Sequence, residues 1–193
     1  MADRTATLSP EVARISLRDN WWIIIPIAAL IAAIQSNRIP FLLYVHLFSG
    51  LLWTGTDIFM GFILGPILRK VDLSARRAII TRLMPRMLFY MPTVATVTIT
   101  AGYYLAQWMG FFLVPYPAAY WVLAAGTIAG IMIVQGLGVL LPINIRVFLE
   151  IRKEHPDGEK IGRLMGIYIK VVASQAVLQF AIIGIMVKFR MGL

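Results

Sequence analysis

From Phe41 to Leu68 the chain runs for 28 residues with one acid, one histidine and no lysine or arginine. As an α-helix rising ~1.5 Å per residue, this run would be about 42 Å long. That exceeds the ~30 Å hydrocarbon core of a bilayer, so the helix is expected to tilt or to protrude. Four further apolar runs share this pattern, over about 21–35, 87–108, 118–141 and 167–187. The chain is 60% hydrophobic and 14% charged, against about 25% charged in soluble domains. A water-soluble fold of 193 residues has too little core volume to hide that much apolar surface. The fold class implied is all-α: a polytopic transmembrane helical bundle of about five spans, forming one domain over 1–193.

The segments between the runs set the expected orientation. Three basic residues precede the first run, six lie between the second and third, and six (Arg146 to Lys170) between the fourth and fifth. The opposite side carries only Arg38, Lys188 and Arg190. Basic loops stay on the cytoplasmic side, so the N-terminus is expected inside and the C-terminus outside, in a cell (inner, cytoplasmic) membrane. Ser9-Pro10-Glu11 is a helix-start signature, and 10–20 reads as an interfacial helix. The stretches 69–86 and 146–166 read as basic cytoplasmic connectors, the first amphipathic, with Arg76, Arg77, Arg82 and Arg86 against Ile79, Ile80, Leu83 and Met84. The first apolar run has the length of a signal-peptide core, but no small-residue cleavage site comes after it. An uncleaved helix anchored by Trp21 and Trp22 is expected.

Several function classes are excluded. The chain has no cysteine, so thiolate, iron–sulfur and cysteine–zinc chemistry is absent. Walker loops, Rossmann glycine patterns, Gly-x-Ser-x-Gly elbows and His-Glu-x-x-His pairs are missing. The net charge of +9 flanks apolar runs without aromatic interleaving, which suits anionic lipid and not nucleic acid. Catalysis by the isolated chain is not expected. The partners expected are the bilayer and other membrane subunits or a second copy of the chain.

The run 41–68 carries the chemistry. His46, Ser49/Gly50, Trp53 and Asp57 fall on one helix face, since eleven residues make almost three turns. Ionisable groups inside a membrane are costly and usually face the bundle interior. His46 reads either as a metal or haem ligand, with Gly50 leaving room for a flat macrocycle, or as a histidine bonded to a neighbouring helix. Asp57 reads either as a proton-handling group or as a helix–helix hydrogen-bond partner. Gln135, Gln175 and Gln179, with Ser174, Thr93, Thr96, Thr98 and Thr100, form a candidate polar path. Gly61-x-x-x-Gly65 and Gly126-x-x-x-Gly130 permit close helix approach. No internal repeat stands out in the sequence.

The string His46-Leu47-Phe48-Ser49-Gly50-Leu51-Leu52-Trp53-Thr54-Gly55, leading to Gly65-Pro66, resembles the first-motif helix of the copper resistance protein D-like membrane proteins. More distantly, it is similar to HemJ-type protoporphyrinogen oxidases and the membrane part of cytochrome-like urate oxidases. The resemblance covers roughly residues 41–108, and His46, Gly50, Trp53 and Gly55 carry it. It implies a redox-associated membrane protein or small oxidoreductase subunit in electron transport, with haem b or copper held at His46 beside Gly50 and Trp53. No second histidine lies in any apolar run. A haem would therefore need a methionine, an open position or a partner's ligand. Copper transport would want methionine or histidine clusters, and the ten methionines are scattered. The competing expectations are a transporter or channel component using Asp57 and the Gln/Thr positions, and a purely structural subunit.

Overall fold

A computed structural model describes residues 18–153 and 155–192. The interfacial helix expected over 10–20 lies outside these residues except for its last three, which open a short 3-10 helix, Arg18–Ile23. The described chain is all-α and contains no strand. Helix α1 (Ile24–Ser36) ends at Asn37, whose left-handed backbone (φ 51°) turns the chain within two residues. Asparagine tolerates that region better than most side chains. Helix α2 (Ile39–Ile58) starts with Pro40 in its first turn, where the missing N–H would have had no partner anyway.

A π-helical turn, Phe59–Leu64, joins α2 to α3 (Gly65–Lys70) without a break in the helix. Helix α4 (Leu73–Trp108) is the longest, at 36 residues. After a short loop comes α5 (Ala119–Gln135), then a second π-helical turn, Gly136–Leu140, and α6 (Leu141–Ile151). The last helix, α7 (Gly158–Met191), is capped by Asp157, whose side chain accepts from the Lys160 N–H at 2.9 Å. Both π turns end two residues before a proline, Pro66 or Pro142. A proline ring crowds the carbonyl four residues back. The wider turn, closed by Gly65 N–H to Met60 O and Leu141 N–H to Gly136 O, moves that carbonyl aside.

Among the described residues, three continuous helices are long and apolar enough to cross a membrane: Ile39–Leu68, Ala119–Ile151 and Gly158–Met191. Asn20–Ser36 is apolar but shorter. The basic amphipathic stretch 69–86 is largely helical. Residues 69–70 close α3, and 73–86 form the first turns of α4, continuous with the apolar run 87–108. No glycine interrupts 73–101, and the helix runs through both Pro85 and Pro92. The second connector is likewise mostly helical, leaving only 152–157 between α6 and α7.

The apolar core has two parts. Leu30 and Ala33 of α1, Leu42 and Val45 of α2, and Val97, Ala101 and Leu105 of α4 form one cluster. Trp53, Val94 and Met132 form the other, joining α2 and α4 to α5. The α2–α4 contact is the most extensive in the bundle. The glycine pairs play no such part. A methyl group at Gly61, Gly126 or Gly130 would touch nothing, and at Gly65 it would meet only the Met60 carbonyl of its own turn.

Candidate functional site

Two polar centres lie on the buried face of α2, as the spacing of His46 and Asp57 requires. The first is the α2–α4 seam. The His46 imidazole sits with Nδ1 2.8 Å from the Thr98 carbonyl oxygen. A carbonyl only accepts, so Nδ1 carries the proton and Nε2 of the neutral ring keeps its lone pair. The ring rests on Gly102 of α4: a Cβ there would lie 2.9 Å from His46 Cε1 and 3.2 Å from Nδ1. Only glycine leaves the imidazole that room. Below it, the Ser49 hydroxyl donates to the Val45 carbonyl at 2.7 Å. The Thr98 hydroxyl lies between Ser49 Oγ (2.9 Å) and its own Val94 carbonyl (2.7 Å). Further along α2, Thr56 Oγ1 donates to the Tyr90 hydroxyl at 3.1 Å.

His46 is half-buried, at the rim between the seam and the outer face of α2, where Leu43 and Leu47 are 40% and 54% exposed. The space beside Gly50 is not free. A Cβ at Gly50 would lie 3.5 Å from Thr98 Cγ2, so this glycine faces α4 and not an open pocket. Trp53 is buried against Val94 and Met132, one turn from Asp57 and not beside His46.

The second centre is built around Asp57, which is 5% exposed. Its Oδ2 accepts from Gln179 Nε2 of α7 at 3.0 Å, and the Trp53 indole also reaches the carboxyl group. Tyr168 of α7 lies within electrostatic range of Asp57 and bonds through its hydroxyl to Asn144 of α6. Gln175 Nε2 donates to the Met132 carbonyl at 3.1 Å, and Gln135 Nε2 to Ser174 Oγ at 3.0 Å. Three amide oxygens here, Gln135 Oε1, Asn144 Oδ1 and Gln179 Oε1, are buried and meet no donor. Buried acceptors of this kind usually have partners. This centre therefore has unused acceptor capacity beside a carboxyl group.

Of the residues singled out in the sequence, His46 and Gly50 belong to the α2–α4 seam, and Trp53, Asp57 and Gln179 meet at the second centre. Gln135 and Gln175 tie α5 to α7 alongside it. His46 and Asp57 remain about 16 Å apart along α2 at ~1.5 Å per residue. Gly102, the Thr98 carbonyl, Tyr168 and Asn144 are not legible in the sequence as site residues. Backbone carbonyls leave no mark in a sequence, and Asn144 and Tyr168 flank the basic stretch 146–166 on either side, 24 residues apart in the chain. A glycine facing a lone histidine can be recognised only once the helix pairing is known.

Outside the apolar part, Glu150 closes the α6–α7 turn. Its nearly buried carboxylate pairs with Lys153 (2.9 Å) and Lys160 (2.8 Å) and accepts from the Asp157 N–H at 3.4 Å. These partners, the Lys160 and Lys153 hydrogen bonds foremost, hold its carboxyl group down at about 2.

Among the described residues, no group of three or more His, Cys, Asp or Glu side chains is placed to hold a metal ion. Comparison of the chain with protein families, with curated proteins and with solved structures found no match.

Proposed function

We propose that this chain is an integral membrane protein of five spans, N-terminus cytoplasmic, that holds a redox cofactor through His46 within a membrane oxidoreductase assembly. The observation that carries the reading is the bond from His46 Nδ1 to the Thr98 carbonyl. That bond fixes the tautomer and the ring plane and leaves Nε2 as a free ligand, the arrangement typical of metal-ligating histidines. The donor set fits a haem with one axial imidazole better than a copper centre, which wants several clustered ligands. His46 would be the ligand, the Thr98 carbonyl its orienting acceptor and Gly102 the space it occupies. A bound haem would supply one-electron chemistry. The five spans add α1 and the apolar part of α4 to the three long helices, and the orientation rests on the basic ends.

The test is a visible spectrum and iron analysis of detergent-purified protein made with haem supplied, beside His46→Ala. The expected result is a Soret band in the wild type that the variant lacks. A colourless, iron-free wild type after haem reconstitution would overturn the reading.

A second reading is favoured by the Asp57 centre. An almost fully buried carboxyl group, held by Gln179 beside buried oxygens without donors, suits a station for protons or small cations in a transport route. Flux across liposomes that disappears in Asp57→Asn supports it. Flux equal in both proteins, or absent from both, rejects it.

A further inference from the structure

Between α4 and the helices α5, α6 and α7 lies a half-open slot of about 210 Å³. It tracks α4 from Leu88 to Thr100 and the α5–α6 helix from Met132 to Asn144. Each stretch covers twelve residue steps, about 18 Å of helix, so the slot is long and narrow and runs along the bundle. None of its lining residues is charged. A phosphate, a carboxylate or an ammonium group would enter it without a counter-ion, at a cost of several kcal/mol or more. Most of its wall is aliphatic, with methionine and the Trp53 ring.

The polar groups are few and placed along the length. Tyr168 and Asn144 stand at the end nearer the basic loops, with the Tyr168 hydroxyl backed by the Asn144 amide. Gln175, Thr96 and Thr100 come further along. An acyl chain filling the slot would offer the Tyr168 hydroxyl no acceptor, which is unfavourable for a buried donor. A void of about 150 Å³ with apolar walls accommodates benzene, so this slot has room for a substituted six-membered ring.

We infer that the slot binds a membrane-soluble quinone: an uncharged ring whose carbonyl oxygen accepts from the Tyr168 hydroxyl, with its apolar tail lying along Leu88–Thr100. Ring size, absence of charge and a hydroxyl donor at one end of an apolar track are its three requirements, and the slot meets all of them. The inference does not depend on His46 or on any haem.

The experiment uses the full chain in detergent. Decylbenzoquinone is titrated while tryptophan fluorescence, which includes Trp53 in the slot wall, and thermal stability are monitored. Decylbenzene, a six-membered ring of similar size with the same tail and no oxygens, is the control, and its binding is read by thermal stability because it does not quench. Saturable quenching by the quinone is expected, with decylbenzene binding much weaker. Tyr168→Phe keeps the ring and removes the hydroxyl, and should weaken quinone binding about 5- to 10-fold, the value of one hydrogen bond. Ala95→Phe, which fills the slot, should abolish saturation. If Ala95→Phe does not fold, Thr96→Val and Tyr168→Phe decide the matter. Equal binding of decylbenzene and quinone would mean a lipid-tail groove and would overturn the inference. So would unchanged affinity in Tyr168→Phe, or no saturable binding by the wild type. A protein that binds quinone yet carries no haem would leave this inference standing and remove the His46 reading.

Discussion

A single glycine decides whether His46 can occupy its place. At Gly102 a methyl group would overlap the imidazole edge at 2.9 Å, so Gly102→Ala must push the ring off the Thr98 carbonyl or part the two helices. Overpacking of this kind typically costs about 1–3 kcal/mol. Chemical denaturation in detergent should register that loss, and any cofactor signal that depends on His46 should change with it. Asp57 offers a cleaner separation of charge from shape. Asp57→Asn keeps an oxygen to accept from Gln179 Nε2 and should stay within about 1 kcal/mol of wild type. Asp57→Leu leaves both polar atoms of the Gln179 amide unpaired in a buried site, and should lose about 1–3 kcal/mol by the same denaturation assay. Equal losses in the two variants would mean that the carboxyl charge itself, and not the hydrogen bond, holds α2 to α7. At this scale the sequence is informative about ionisable residues and silent about their partners. The period of a helix puts His46, Trp53 and Asp57 on one face. Which helix that face meets, and which of its carbonyls is turned outward, depends on packing between segments far apart in the chain.

The elements show where local signals are sufficient. Asn37, Pro40 and the Asp157–Gly158 turn mark helix ends by their own backbone preferences, and the helices begin and end there. The run 69–86 reads as a connector because it is basic and amphipathic. Most of it forms the opening of α4, continuous with the apolar turns beyond Arg86, because charge sets where a helix lies and not whether it ends. The α6–α7 turn carries a pH prediction of its own. Glu150 has its carboxyl group held at about 2, from an ordinary 4.5. A depressed carboxylate stabilises the fold at pH values above its unfolded range, and that contribution fades as pH falls from about 4.5 towards 2. Wild type should therefore lose the order of this turn over that window, as read by hydrogen exchange of the Lys153–Ile161 amides. Glu150→Gln should show the loosened turn at neutral pH, with little further change on acidification through the same range.

At the scale of the whole molecule, the chain after α1 consists of two helical pairs of like construction. In each, an apolar helix passes through a π turn and a proline to a basic end, and a long helix returns: α2–α3 with α4, then α5–α6 with α7. Each pair is tied internally by uncharged polar side chains, Ser49 with Thr98 in the first and Gln135 with Ser174 in the second. This likeness is hidden in the sequence, because what repeats is the order of elements and not the residues. The second polar centre and the slot both lie where the two pairs meet, with Asp57 and Trp53 from one and Gln179, Asn144 and Tyr168 from the other. Co-expression of residues 1–114 and 115–193 as separate chains should give a complex only if this junction forms. Asp57→Leu in the first half should lower its yield in co-purification.

The π turns have a consequence for how this chain tolerates change in length. Each is one residue wider than an α-turn, so the side chains beyond it are out of phase with those before it by about 100°. In Ile39–Leu68 the sequence positions that share one side of the helix therefore shift by one residue between Asp57 and Gly65. Removing a single residue from Phe59–Leu64 would restore one uninterrupted phase. The α-turn left behind would keep both the His46–Asp57 face and the basic end of α3 where they are, because the π turn had absorbed the extra residue. A one-residue deletion there is thus absorbed, whereas the same deletion between His46 and Asp57 would take the two centres off a common face altogether.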